Sequence, residues 1–194
     1  MMFKKTTIAA FGALAMLPLA QAQAADYTID TEGQHAFVQF RINHVGFSYI
    51  LGSFESFDGT FSYDAEEPAA SSAELEVDVT SLNTNHAERD KHILSGDFLN
   101  ADEYPTATFT STGFESTGEG EGVLTGDLTL HGTTQAIEMP VELIGEGEDP
   151  WGGYRAGFEG STDLTLADYG IDMSKFPEAM QTVELYVTFE GVRQ

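Results

Sequence analysis

Apolar and acidic residues alternate one for one along Glu74-Leu75-Glu76-Val77-Asp78-Val79, and again along Ile137-Glu138-Met139-Pro140-Val141-Glu142-Leu143. Successive side chains of a strand point to opposite faces, so each segment has one dry face and one charged face. The same period recurs in Val183-Glu184-Leu185-Tyr186-Val187-Thr188-Phe189-Glu190. It recurs again, with Thr and Asp as the polar partners, in Leu124-Thr125-Gly126-Asp127-Leu128-Thr129-Leu130. The pattern predicts an all-β, antiparallel protein with an apolar inside. Such a sheet must close on itself or pack on a second sheet, and a closed barrel keeps room for an apolar ligand. The inward face is predicted to carry Phe57, Phe61, Leu75, Val77, Val79, Leu128, Leu130, Ile137, Met139, Val141, Val183, Leu185, Val187 and Phe189. A slip of one residue would bury Glu76, Asp78 and Glu142 instead, which is costly.

Residues 1–24 read as a secretory signal peptide, with Lys4 and Lys5 as the positive region, Ile8 to Leu19 as the apolar region and Ala22-Gln23-Ala24 as the cleavage site. The apolar run is shorter than the ~20 residues of a spanning helix. The reading predicts a periplasmic protein with one domain over 25–194 that is not embedded in the membrane. Cysteine is absent, so stability must come from the core and not from disulfides.

The formal net charge is −24, from 32 acidic and 8 basic residues. Nucleic acid and anionic membranes, which need clustered Lys and Arg, are excluded as partners. The acidic residues are interspersed with apolar ones, so the charge is read as a solvated outer face.

Turn chemistry at Glu66-Glu67-Pro68, Gly118 to Gly122, His131-Gly132, Gly145 to Pro150 and Trp151-Gly152-Gly153 divides the chain. Strands are predicted over 27–30, 35–43, 53–63, 72–80, 105–114, 122–131, 135–145, 153–165 and 181–192. Asn85 to Leu94 lacks the period of two and predicts a short helix near 86–95, capped by Asn85. Asp168 to Glu178 is predicted to be a loop with at most one helical turn.

His86, Glu88, Arg89, Asp90 and His92 form the dense cluster of titratable residues. On a helix His86 and Asp90 lie about 40° apart, but His92 lies about 120° from His86. That is not the i, i+4 histidine pair of helical zinc sites. A surface helix with ion pairs such as Glu88 with Lys91 explains the cluster, and no catalytic or metal-ligating residue and no cofactor is predicted. His35, His44 and His131 stand singly beside turns or strand ends and are assigned structural roles.

Phe37, Phe40, Phe47, Phe54, Phe57, Phe61, Phe98, Phe109, Phe158 and Phe189 supply more large rings than a compact sandwich core requires. Most must serve packing, while some are expected to line a deep pocket. The candidate lining is Phe40, Phe57, Phe61, Leu75, Val77, Phe109, Leu128, Leu130, Phe158, Val187 and Phe189.

Thr84-Asn85-His86-Ala87-Glu88-Arg89-Asp90-Lys91-His92, Asp97-Phe98-Leu99, Tyr104-Pro105 and Ala107 to Thr112 resemble the YceI-like family of bacterial periplasmic proteins. Phe57 to Phe61, Gly126 to Thr134, Asp149 to Gly153 and Arg155-Ala156-Gly157-Phe158 match it as well. The resemblance implies a lipocalin-like, extended antiparallel barrel that holds a polyisoprenoid or similar amphiphilic lipid, often as a homodimer, and that is not an enzyme. Leu166-Ala167-Asp168-Tyr169-Gly170 departs from the family pattern in having no basic residue.

Two other classes are weighed. A small outer-membrane β-barrel fits the length and strand number, but its outer face would have to be apolar. A metal-dependent hydrolase centred on His86 and Asp90 conflicts with the histidine spacing.

Overall fold

The computed structural model describes residues 24–194. The signal-peptide reading of 1–24 therefore falls almost wholly outside the described residues. The strands are β1 (Ala25–Ile29), β2 (Ala36–His44), β3 (Ser48–Phe54), β4 (Phe57–Tyr63), β5 (Ser72–Asp78), β6 (Leu82–Asn83), β7 (Thr106–Gly118), β8 (Glu121–Leu130), β9 (Thr133–Glu148), β10 (Tyr154–Thr165) and β11 (Thr182–Arg193). One α-helix, α1 (Ala87–Leu94), interrupts them.

All pairings are antiparallel, and the ring closes because β11 pairs with β10 on one side and with β1 and β2 on the other. β1 and β2 lie end to end along β11, β3 and β4 lie end to end along them, and β5 with β6 continues the third layer. The barrel thus has eight staves, three of them kinked. Each kink is held by polar contacts. In the first, the Asp30 carboxylate accepts the Gly33 amide at 2.8 Å. The other two kinks clasp each other: Asp78 N donates to the Ser56 carbonyl at 2.9 Å, and Ser56 N donates to Ser81 Oγ at 3.0 Å.

These kinks correct the expected segments. The strand expected over 53–63 breaks at Glu55-Ser56, and its first half extends back to Ser48 to form a hairpin with β2. β5 ends at Asp78, so Val79 is buried in a 3-10 turn and not on a strand face. β9 runs through to Glu148, so the turn expected over 145–150 begins only at Asp149. Opposite β10 its register shifts between Leu143 and Gly145, which leaves Ile144 exposed.

The β8–β9 hairpin turns on His131 and Gly132, both with positive φ (51° and 71°). That is the two-residue turn whose twist suits a hairpin. The acidic residues Glu74, Glu76, Asp78, Glu138 and Glu142 are all exposed, as the alternation requires.

Candidate functional site

The interior is a cavity of about 430 Å³ walled by aliphatic and aromatic side chains, within the ~300–1,000 Å³ of small-molecule sites. At one end Tyr27, Phe61, Tyr63, Phe158 and Phe189 form an aromatic floor. Tyr27 and Phe61 stack with centroids 4.7 Å apart, and Phe158 meets Tyr63 edge-on at 5.0 Å. Burial raises the pKa of the Tyr27 and Tyr63 phenols, so both stay neutral. The other end is covered by α1 and two irregular connections, which contribute Ile93, Phe98, Met173, Phe176 and Met180.

The candidate lining residues from the sequence all border this cavity. Phe40 projects from β2, Phe57 and Phe61 from β4, and Leu75 and Val77 from β5. Phe109 comes from β7, Leu128 and Leu130 from β8, Phe158 from β10, and Val187 and Phe189 from β11. Glycines make room for several of the rings. A β-carbon at Gly52 would collide with Phe40, and one at Gly126 with Phe109. One of the singled-out phenylalanines lies elsewhere, Phe47, which is on the outside and 89% exposed, whereas Phe37 touches the cavity wall but is 47% exposed. Phe47 belongs to a hairpin tip that the period of two did not reveal, and Phe37 takes the outward phase of β2.

Sequence reasoning missed the contributions of Met173, Phe176 and Met180, which come from a non-periodic connection and leave no signal in a pattern of two. It also missed Arg89 and His92, which border the cavity from α1. Here a signal exists, since Arg89, His92 and Ile93 share one helix face by their i, i+3 and i, i+4 spacing.

The helix itself departs from expectation in two details. Its cap is His86, whose Nδ1 accepts the Arg89 amide at 3.2 Å, while Asn85 takes a left-handed φ of 62°. Glu88 and Lys91 do not pair; the ion pairs among the described residues involve His35, Arg41 and Arg155. Asp90 accepts both the amide and the hydroxyl of Thr84, at 2.9 and 2.5 Å. His86 and Asp90 are thus each engaged in shaping the start of α1.

A second cluster lies outside the barrel wall at the kink between β1 and β2. Asp30, His35 and Glu190 bring their ligand atoms within 4.8 Å of one another. Arg155 occupies the same place, with Nη1 2.5 Å from Asp30 and 3.4 Å from Glu190 and Nε 3.0 Å from Asp149. A cation would have to displace that guanidinium. The hydrogen bond from Arg155 is the largest of the effects that hold the Asp30 carboxyl at about 2, below its ordinary 3.8. His131 Nδ1 lies 2.9 Å from the Tyr169 carbonyl oxygen, and the Tyr169 hydroxyl, buried without a partner among the described residues, has its pKa pushed up to about 12 by burial.

The barrel matches solved structures over most of their length. Burkholderia cenocepacia BcnA superposes with a TM-score of 0.74 at 19% identity, over 84% of this chain and 98% of that one. The Campylobacter jejuni YceI protein gives 0.69 at 23% identity, over 79% and 90%. A polyisoprenoid binding domain from Saccharophagus degradans, implicated in plant cell wall breakdown, gives 0.64 at 16% identity, over 89% and 100%. Sequence relatives are much nearer. A UPF0312 protein of Azotobacter vinelandii is 53% identical over 100% of both chains, and one of Ectopseudomonas mendocina is 56% identical over 90% of this chain and 91% of its own. The family model for a YceI-like domain matches residues 27–191, from the first strand to the last, and with relatives this similar from end to end, the chain belongs to the YceI-like family.

Proposed function

We propose that this protein is a periplasmic lipid-binding barrel that carries, stores or scavenges a long apolar chain, an isoprenoid or related amphiphile, and has no catalytic role. The observation that carries the reading is the cavity: a closed ring of strands around about 430 Å³ of aliphatic and aromatic wall. Burial of hydrocarbon is the driving force such a wall offers. The Saccharophagus domain of the same fold, described as polyisoprenoid binding, supports the choice of ligand class. His86, Asp90 and Arg155 are engaged in structural contacts, which supports a binding role over hydrolysis. The expected mature start, Ala25, is the first residue of β1.

The test is to strip the purified protein of lipid and titrate a series of prenyl alcohols at two salt concentrations. Affinity should climb with length by at most about 0.3 kcal/mol per heavy atom until the tube is filled. It should respond weakly to salt, because the alcohols carry no charge. Affinity independent of length would overturn the reading. Fractionation tests the location, and recovery in washed outer membranes would defeat it. A homodimer, which the family resemblance implies, has exposed apolar side chains to bury in Phe37, Tyr49 and Leu51 on the outer face of β2 and β3. Light scattering at micromolar concentration reads its mass.

A further inference from the structure

Among the described residues that border the cavity, Arg89 is the one permanent cation. Its setting differs from that of the two arginines that pair with carboxylates. The chain has 32 carboxylates for 8 basic side chains, and Arg41 and Arg155 both pair with them. Arg89 forms no ion pair among the described residues. It is held instead by Thr84, a 5%-exposed residue. Nε donates to Thr84 Oγ1 at 2.7 Å, and Nη2 donates to the Thr84 carbonyl at 2.6 Å.

Thr84 is fixed in turn by Asp90, which takes its amide and hydroxyl protons. The Asp90 carboxylate thus orients Thr84 and is linked to the guanidinium through that hydroxyl. Arg89 also sits in the first turn of α1, where the helix dipole disfavours a cation. Two of its donor nitrogens are committed to Thr84, and Nη1 has no partner among the described residues. A guanidinium held in this way, half-buried against an apolar wall, is arranged to receive an anion.

We propose that Arg89 is the head-group residue of the cavity, binding the acidic head, carboxylate or phosphate, of the amphiphile whose chain occupies the barrel. The inference rests on the lipid-binding reading above. It orients the ligand, with the head under α1 and the tail toward the aromatic floor of Phe61, Phe158 and Phe189. The outward carboxylates that border the cavity do not oppose this: Glu74 is exposed, and Glu159 accepts the Tyr186 hydroxyl at 2.6 Å.

The experiment compares chain-matched pairs, hexadecanoic acid with hexadecanol and farnesyl phosphate with farnesol. Each is titrated at pH 7.5 into delipidated protein by displacement of a fluorescent apolar probe. The acids should bind about tenfold to a hundredfold more tightly than the alcohols, the range of one charge-assisted contact. Arg89→Gln should bring that ratio to within about twofold of one. Lys91→Gln, which removes the same charge from the exposed side of α1, should keep it. A measurement that needs no variant is the side-chain Nε–Hε spectrum of the wild-type protein. The Arg89 resonance should move on adding either acid and stay in place with the alcohols. Equal binding of acid and alcohol by the wild type, an undiminished ratio in Arg89→Gln, or an unmoved Arg89 resonance would each overturn this inference while leaving the barrel a lipid binder. Failure of every chain to displace the probe would instead overturn the lipid-binding reading itself.

Discussion

The ring of Phe61 on β4 lies over Gly191 on β11 and fills the space that a β-carbon there would occupy. The two residues are joined through β1, where Tyr27 pairs with Phe61 and Ile29 pairs with Gly191. This is where the first stave is inserted between the fourth and the last strand, so the packing of one ring onto one glycine helps to close the barrel. Gly191→Ala should therefore overpack the aromatic floor and cost about 1–3 kcal/mol. The melting temperature should fall by several degrees, at about 2–4 °C per kcal/mol for a domain of this size. Gly113→Ala, where a β-carbon meets nothing within 4 Å, should be neutral or slightly stabilising. Calorimetry on the two variants decides, and equal melting temperatures would refute the account.

Leu128 and Glu138 test the two faces of the sheet. Leu128 is 8% exposed and borders the cavity, whereas Glu138 points to solvent. Leu128→Asp should cost more than the ~2–5 kcal/mol of a Leu→Ala change, because it adds a buried charge to the lost packing. Glu138→Lys should stay within about 0.5 kcal/mol of wild type. Urea midpoints for both variants provide the check.

The clamp at Asp30 predicts an acid limit. The folded carboxyl titrates at about 2 against an ordinary 3.8, so the native state holds its proton less readily than the unfolded chain does. The stability from this contact is full above about pH 4 and is lost as the pH falls through 2. Arg155→Met should lower stability at pH 7 by about 1–3 kcal/mol and flatten the decline between pH 4 and 2. Thermal melts across that range would count against the clamp if both proteins declined alike.

Val187 borders the cavity and is 9% exposed. In a Val187→Trp variant that retains the wild-type circular dichroism, the bore narrows without a change of charge. The longest prenyl alcohols should then lose affinity while the shorter ones keep it, which shifts the optimum of the series. An unchanged optimum would mean that the chain does not pass this point.

The sequence determined the class of fold and the phase of its strands, and it did so by a local rule. Alternation ties each side chain to a face, and the cost of burying Glu76, Asp78 or Glu142 permits only one register. Leu75, Val77, Leu128, Leu130, Val187 and Phe189 therefore face the cavity. The position of α1 was legible for the same reason in reverse, as the place where the period of two stops.

Only the tertiary structure decided what depends on contacts between distant residues. Ser56 meets Asp78 and Ser81 across two kinks, so the break at Glu55-Ser56 is invisible in a segment whose own residues suit a strand throughout. Asp30 finds Arg155 across 125 positions, and Phe61 finds its glycine 130 residues on. Arg89 read as one member of a solvated helix face, and the fold turned that face onto the cavity. A periodic pattern reports which side of a strand is dry, because that is a property of neighbours in the chain. How the staves bend, where the barrel closes and which charge reaches its interior depend on packing between distant segments, and no local period encodes them.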